Sequence, residues 1–320
     1  MQAMIFDAKR DFCWHIVPEP QCGPGEVLLE IHATALNRAD LLQRAGKYPP
    51  PPGWPDWPGL EAAGVILQAP AGSRWQKGER ACALLGGGGY AERVAVPEEL
   101  LLPVPQGLSL TEAAALPEVF ATSYLNLVLE ADLQAGETVL IQAGASGLGL
   151  AAIQTAKALG ATVMTTVGSA AKAEAVRQIG ADIIINRHTD DLGAAMDTHP
   201  VNVVLDCVGG PALGENFSRL ARGGRWVLIA TLGGEQSQVS LRSVLSRGLR
   251  LIGSTLRSRS NTVKGQVLAA LEQKIWPLLE DKSIRPVIHR VLPIQEVHEA
   301  HRILADNENI GKVVLTLKDS

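Results

Sequence analysis

The rhythm of apolar and polar positions changes twice along this chain. In residues 1–115 short apolar runs are broken by turn residues, and residues 27–33, 64–67 and 90–96 read as strands. The only helical stretch there is short, near residues 37–44. From 116 to 261 the rhythm becomes strand, helix, strand. Val139-Leu140-Ile141 suits a strand buried on both faces. Leu148, Ala151, Ala152, Thr155, Ala158 and Leu159 then recur at helical spacing, and Gly160 suits the helix end. Strands follow at 162–167, 183–185, 203–208, 225–230 and 249–253, with helices at 170–179 and 211–220. Pro211 fits a first helical turn. From 262 the pattern predicts a helix to Leu279, a strand at 287–292, a helix at 295–306 and a strand at 312–317.

Strands alternating with helices predict a doubly wound parallel sheet for residues 116–261, beside a β-rich domain. The closing elements are expected to return to the first domain, giving one domain from residues 1–115 and 262–320. A length of 320 residues accommodates two domains.

Composition narrows the class. Hydrophobic residues make up 46% and charged residues 19%, which fits a globular protein. A net charge of −4 argues against nonspecific nucleic-acid binding. No apolar run reaches the roughly 18 residues that a membrane span needs. The first ten residues carry no basic-then-apolar leader pattern. Four dispersed cysteines, Cys13, Cys22, Cys82 and Cys207, make neither a disulfide framework nor a cysteine-cluster metal site. The reading is a reduced, cytoplasmic protein without a metal.

The chemistry starts at the turn after the strand at 139–141. Gly144-Ala145-Ser146-Gly147-Leu148-Gly149 occupies the place of a G-x-G-x-x-G fingerprint, between a strand and a helix, which is the context that gives it meaning. A dinucleotide pyrophosphate needs bare backbone N–H groups and the positive end of a helix. Ser146 replaces the middle glycine; Gly147 restores close access, and the Ser146 hydroxyl can donate to a phosphate. Gly144, Ser146, Gly147, Leu148 and Gly149 are therefore expected at the cofactor.

The next strand end chooses the nucleotide. A free ribose 2′-hydroxyl is usually held by an acid about 20 residues past the first glycine. Residues 166–172 contain no acid. They contain Gly168, Ser169 and Lys172, and Arg187 follows the next strand. Singly, Lys172 or Arg187 fits a solvated surface charge equally well. Together with the missing acid they favour NADPH. Cys207, Val208 and Gly209 end the following strand near the expected cofactor edge; Cys207 reads as a small apolar residue rather than a nucleophile.

Several segments then resemble one family: residues 35–41 (ALNRADL), 48–53 (YPPPPG), 59–61 (GLE), 86–91 (GGGGYA), 115–118 (ALPE), 143–149 (AGASGLG), 206–210 (DCVGG), 224–228 (GRWVL), 256–259 (LRSR) and 309–315 (NIGKVVL). The chain resembles the zinc-independent quinone oxidoreductases of the medium-chain dehydrogenase/reductase superfamily. The resemblance implies a GroES-like catalytic domain, a Rossmann cofactor domain, and a homodimer joined through edge strands near residues 250–256. It places Thr122 at the cofactor, and Asn37 and Tyr48 on the substrate side of the nicotinamide as the candidate catalytic residues. Arg257, Arg259 and Lys312 face the cleft or nucleotide, or are solvated charges.

Zinc relatives in this superfamily use Cys and His. The corresponding positions here are Asn37 and, within Gly59-Leu60-Glu61, Leu60. His298 and His301 lie three apart on an expected helix and read as a polar face; His32 and His289 read as structural. Without a metal or triad, the chemistry belongs to the cofactor, which hands hydride to a flat electron-poor acceptor such as a quinone. A reductase of enone C=C bonds and a non-catalytic NADPH-binding protein are the alternatives. Asp40 reads as a structural partner on the short helix. The Pro- and Trp-rich loop holding Tyr48, Trp54 and Trp57 is either an aromatic lid or a rigid loop packed on its domain.

Overall fold

The computed structural model describes residues 1–318. They form two units: Met1–Ala121 with the segment from Arg257 onward, and Thr122–Leu256. The divisions fall a few residues from 115/116 and 261/262.

The first unit begins with the antiparallel pair β1 (Gln2–Phe6) and β2 (Phe12–Ile16). The long strand β3 (Glu26–Ala35) runs into a short helix, α1 (Arg38–Arg44). Strands β4 (Glu61–Gln68), β5 (Arg80–Leu84), β6 (Arg93–Pro97) and β7 (Leu101–Pro103) follow, then helices α2 (Leu110–Ala113) and α3 (Pro117–Tyr124). In β3 alternate residues Val27, Leu29, Ile31 and Ala33 are buried, the period-two pattern of a half-buried strand.

The second unit carries β8 (Thr138–Ile141), α4 (Gly147–Ala158), β9 (Thr162–Val167), α5 (Ala170–Gln178), β10 (Ile183–Asn186), α6 (Leu192–Thr198), β11 (Val203–Asp206), α7 (Gly210–Phe217), β12 (Arg225–Leu228), α8 (Leu241–Arg247) and β13 (Arg250–Gly253). The six strands are all parallel, in the order β10-β9-β8-β11-β12-β13. The order reverses beside β8, which makes its carboxyl end the switch point where such sheets take ligands. Leu140, Met164, Val204, Phe217 and Trp226 lie in one apolar cluster of this unit.

The chain then returns to the first unit as α9 (Asn261–Lys274), α10 (Trp276–Glu280), β14 (Ile288–Pro293), α11 (Val297–Ala305) and β15 (Lys312–Thr316). Strand β15 pairs antiparallel with β3 and parallel with β14, completing a seven-stranded sheet. Helix α11 buries Val297, Ala300, Ile303 and Leu304 against Phe12, Leu36 and Val313.

The long helix expected from 262 to 279 is two helices, because Pro277 has no N–H to continue the ladder. β1, β2, β5, β7, α6 and α8 carry no signal strong enough to read from periodicity. The same holds for the helix at 117–124, which continues as a wider-wound turn over Leu125–Glu130. Among the described residues no helix is long and apolar enough to cross a membrane.

Candidate cofactor and acceptor sites

In the parallel-sheet unit the glycine turn is tied to the neighbouring strand. Ala143 N donates to Thr166 Oγ1 (3.1 Å) and Gly144 N to Thr166 O (2.9 Å). A Cβ on Gly144 would lie 2.0 Å from Thr165 Oγ1, so the first glycine answers to β9. A Cβ on Gly149 would lie 2.5 Å from the carbonyl oxygens of Ala143 and Gly144, so the last glycine lets α4 start against the turn. Ser146 is the N-cap, its Oγ accepting from Gly149 N at 3.0 Å, which leaves the hydroxyl proton to donate. Gly147 and Leu148 form the first turn, whose N–H groups have no carbonyl partner inside the helix.

Sequence reasoning missed Gln142. It is 7% exposed, sits at the carboxyl end of β8, and its Nε2 is buried without an acceptor among the described residues. A buried amide donor at a switch point fits a bound dinucleotide. The only sequence signal is a polar residue closing an apolar run.

At the end of β9, Ser169 caps α5, accepting from Lys172 N at 3.3 Å. The Arg187 guanidinium lies alongside Gly168, 3.1 Å from where a Cβ would stand. Gly168, Ser169 and Arg187 thus gather at one corner with the helix that carries Lys172. Cys207, Val208 and Gly209 form the turn after β11. It is held by Asp206, a second residue the sequence reading passed over: Oδ1 accepts from Val208 N (2.6 Å) and Gly209 N (3.0 Å), and Oδ2 from Trp226 Nε1 (2.8 Å). The Cys207 sulfur lies 4.0 Å from Gln142 O. Thr122 lies in α3, its carbonyl accepting from Asn126 Nδ2 at 2.7 Å.

The β-rich unit holds a buried polar network on α1, β4 and β15. Asn37 caps α1, its N–H donating to Asp40 Oδ2 at 2.7 Å. Its side chain accepts at Oδ1 from Lys312 Nζ (2.8 Å) and donates from Nδ2 to Glu61 Oε1 (2.9 Å). Lys312 Nζ also donates to Leu36 O at 2.6 Å and lies 2.6 Å from Glu61 Oε1. Glu61 Oε2 accepts from Glu118 N at 2.9 Å. The sequence reading put Lys312 beside the cofactor; its ammonium meets Leu36 O, Asn37 and Glu61.

A zinc ion does not fit here. The positions that zinc relatives fill with thiolate and imidazole are Asn37 and the core residue Leu60, and the Glu61 carboxylate already meets an ammonium. Among the described residues no three His, Cys, Asp or Glu side chains are grouped to hold a metal.

Behind this network Asp40 is fully buried, with Oδ1 accepting from Gly59 N at 3.2 Å. Burial raises its carboxyl to about 6, against the pull of the Asn37 and Gly59 N–H groups. Tyr90 OH lies 3.5 Å from Asp40 Oδ2 and 3.3 Å from His301 Nε2. His301 is 1% exposed and burial lowers it to about 3. His298 is half-exposed beside Asp11, so the two histidines of α11 lie in different environments.

Tyr48 is half-buried, and the Arg257 guanidinium lies 4.1 Å from its ring centroid. Arg257 Nη2 donates to Gly86 O at 2.9 Å. Burial raises the Tyr48 phenol and the Arg257 charge opposes it. A Cβ on Gly86 would stand 2.6 Å from the Trp54 ring, and Trp57 Nε1 donates to Gly88 O at 3.2 Å. The Pro- and Trp-rich loop is therefore packed on the glycine loop 86–89.

Comparison with known proteins agrees with this architecture. Residues 23–106 match the alcohol dehydrogenase GroES-like domain, and residues 147–273 match a family described as zinc-binding dehydrogenase. The chain is 32% identical to bovine (Bos taurus) quinone oxidoreductase-like protein 2, over 99% of this chain and 92% of that one. Its fold is similar to the quinone oxidoreductase of Thermus thermophilus, solved also in complex with NADPH, at a TM-score of 0.84 and 33% identity over 99% of this chain and 100% of that one. It is also similar to the JamJ enoyl reductase, at a TM-score of 0.84 and 26% identity over 98% of both chains.

Proposed function

The chain belongs to the quinone oxidoreductase family of the medium-chain dehydrogenases and reductases, and from that premise we propose that it is an NADPH-dependent quinone reductase working without zinc. The observation that carries the reading is the buried Lys312–Glu61 pair, which with Asn37 and Leu60 replaces a metal-binding donor set by an internal ion pair. The quinone oxidoreductase from Thermus thermophilus, with its NADPH complex, supports the cofactor.

NADPH, when bound, supplies the hydride. The protein binds and orients. The turn from Gly144 to Gly149 and the first N–H groups of α4 receive the pyrophosphate, Gln142 supplies a buried donor, and Ser169, Lys172 and Arg187 take the 2′-phosphate. Cys207, Val208 and Gly209 shape the nucleotide edge and Thr122 adds a contact. In the β-rich unit Asn37, fixed by Lys312 and Glu61, and Tyr48, fixed by Arg257, line the acceptor side. Each has an immobilised side chain, which is what a hydride transfer to a flat acceptor requires of a protein that contributes orientation.

A second reading is an enone C=C reductase, favoured by the enoyl reductase likeness and by Tyr48, whose raised phenol stays protonated at neutral pH and can donate to carbon. Steady-state oxidation of NADPH and NADH with 1,2- and 1,4-quinones and with an α,β-unsaturated ketone separates the cases. Quinone turnover with NADPH and little with NADH is expected. Turnover of the enone alone replaces the first reading by the second, and NADPH binding without turnover of any acceptor replaces both.

A further inference from the structure

Among the described residues of the β-rich unit, Arg257 keeps two buried donors unused. It directs Nη2 to Gly86 O and holds its Cζ 4.1 Å from the Tyr48 ring centroid, but Nε and Nη1 are shut off from solvent with no hydrogen-bond partner. A guanidinium carries five donors and always its charge, so buried N–H groups without an acceptor are costly unless a ligand completes them.

The surroundings say what kind of ligand. Lys264 on α9 is only 5% exposed, and burial lowers its ammonium while Glu118 holds it up and Arg257 opposes it. The charges of Arg257 and Glu118 both act on the Tyr48 phenol as well, with Asp40 the weakest influence there. Asp40 itself is engaged by the N–H groups of Asn37 and Gly59. The half-buried Arg257 and the buried Lys264 therefore share the neighbourhood of Tyr48 with the carboxylate of Glu118. The opposite side of this region is fixed by rigid backbone, since the glycine loop carrying Gly86 is packed under Trp54 and Trp57. A guanidinium with two unsatisfied donors, an aromatic ring and a neighbouring ammonium make a receptor for a flat conjugated molecule with an anionic oxygen.

We propose that Arg257 is a specificity residue of the acceptor site, binding a carboxylate or ionised hydroxyl carried on a conjugated carbonyl compound. This rests on the reductase reading for the word acceptor and on nothing else in it. Neutral quinones then fit the site, and their acidic or hydroxylated counterparts fit it better. The residue acts on affinity for the acceptor and leaves the nucleotide to the parallel-sheet unit.

The test is calorimetric titration of full-length protein saturated with NADP+ with 2-naphthoate and with its uncharged isostere 2-naphthamide, neither of which accepts hydride. Wild type is expected to prefer the carboxylate by about ten-fold, the worth of one charge-assisted hydrogen bond. Arg257→Met is expected to abolish the preference by weakening naphthoate binding more than naphthamide binding, and Arg257→Lys to restore part of it, since lysine keeps the charge and loses the fork. Equal wild-type affinity for the two ligands overturns the proposal. So does a preference that survives in Arg257→Met, or a loss confined to NADP+ affinity. The reductase reading fails separately: a charge preference that depends on Arg257, with no quinone or enone turnover, upholds this site and removes that function.

Discussion

The ammonium of Lys312 lies 2.6 Å from Glu61 Oε1, and neither side chain reaches solvent to any extent, at 5% and 0% exposure. Such a pair is weak support for stability while intact and expensive to break from one side, because the remaining charge is buried alone. Lys312→Met is expected to cost about 3–5 kcal/mol in urea unfolding. Adding Glu61→Gln removes the stranded carboxylate and is expected to recover much of that loss. If the double variant is no more stable than the single one, the ion pair is not what Lys312 contributes.

Gly144 tests the turn. A Cβ there would stand 2.0 Å from Thr165 Oγ1, which itself donates to Ile141 O. Gly144→Ala is expected to lose about 1–3 kcal/mol by overpacking, with weaker NADPH binding as the turn shifts. Combining it with Thr165→Ala is expected to restore part of both. Thermal melts with and without NADPH check this; a tolerated Gly144→Ala would show that β9 yields.

Arg187 and Lys172 test the nucleotide choice. Replacing either by Ser is expected to weaken NADPH binding about ten-fold and leave NADH nearly unchanged, because a charge-assisted contact to the 2′-phosphate is lost and the adenosine ribose of NADH has none. Fluorescence titration of both nucleotides gives the ratio. Equal losses for NADPH and NADH would remove these residues from the 2′-phosphate site.

His301 and Asp40 oppose each other in acid. His301 is held down to about 3, so the folded state binds fewer protons than the unfolded chain between there and the ordinary histidine value. The stability present above that value is lost as pH falls toward 3. Asp40 is held up to about 6, so the folded state keeps a proton that the unfolded chain releases. Its contribution is present in acid and lost as pH rises through 6. The histidine shift is the larger, so wild type is expected to lose about 1 kcal/mol from these two groups between pH 7 and 4. His301→Gln is expected to flatten that limb and Asp40→Asn to steepen it. Urea midpoints across the range read the slopes, which stay informative even where a variant is less stable throughout.

Strand β13 pairs on one side only, with β12, and its Leu251 is 50% exposed; Leu241 and Leu245 of α8 are 73% and 86% exposed. An unpaired edge flanked by bare leucines invites a second copy. Light scattering is expected to give a dimer, and Leu245→Glu a shift toward monomer. A monomeric wild type at micromolar concentration would remove the homodimer.

The parallel sheet was legible because several of its strands are apolar runs punctuated by glycine, a pattern that burial on both faces forces on β8 and β11. The β-rich unit was legible only in part. In β5, Arg80–Leu84, small residues neither alternate nor branch, and its strand character comes from pairing with β4 and β7. The broken helix at Ile275 carried its signal in Pro277, outweighed by the apolar spacing around it.

The site divides along the same line. Gly144 to Gly149, Ser169 and Arg187 are neighbours through two consecutive βαβ units, so local order along the chain places them. Asn37, Glu61 and Lys312 are joined across a span of 275 residues between Asn37 and Lys312, and Arg257 reaches Gly86 across 171. No local pattern distinguishes these two cations from solvated ones. Lys312 is buried because β15 returns to pair with β3, and Arg257 Nε and Nη1 are covered because the chain comes back beneath a loop laid down early. Periodicity records which face of an element is buried; which polar groups meet there depends on how distant elements pack, since each buried charge must find its partner in space.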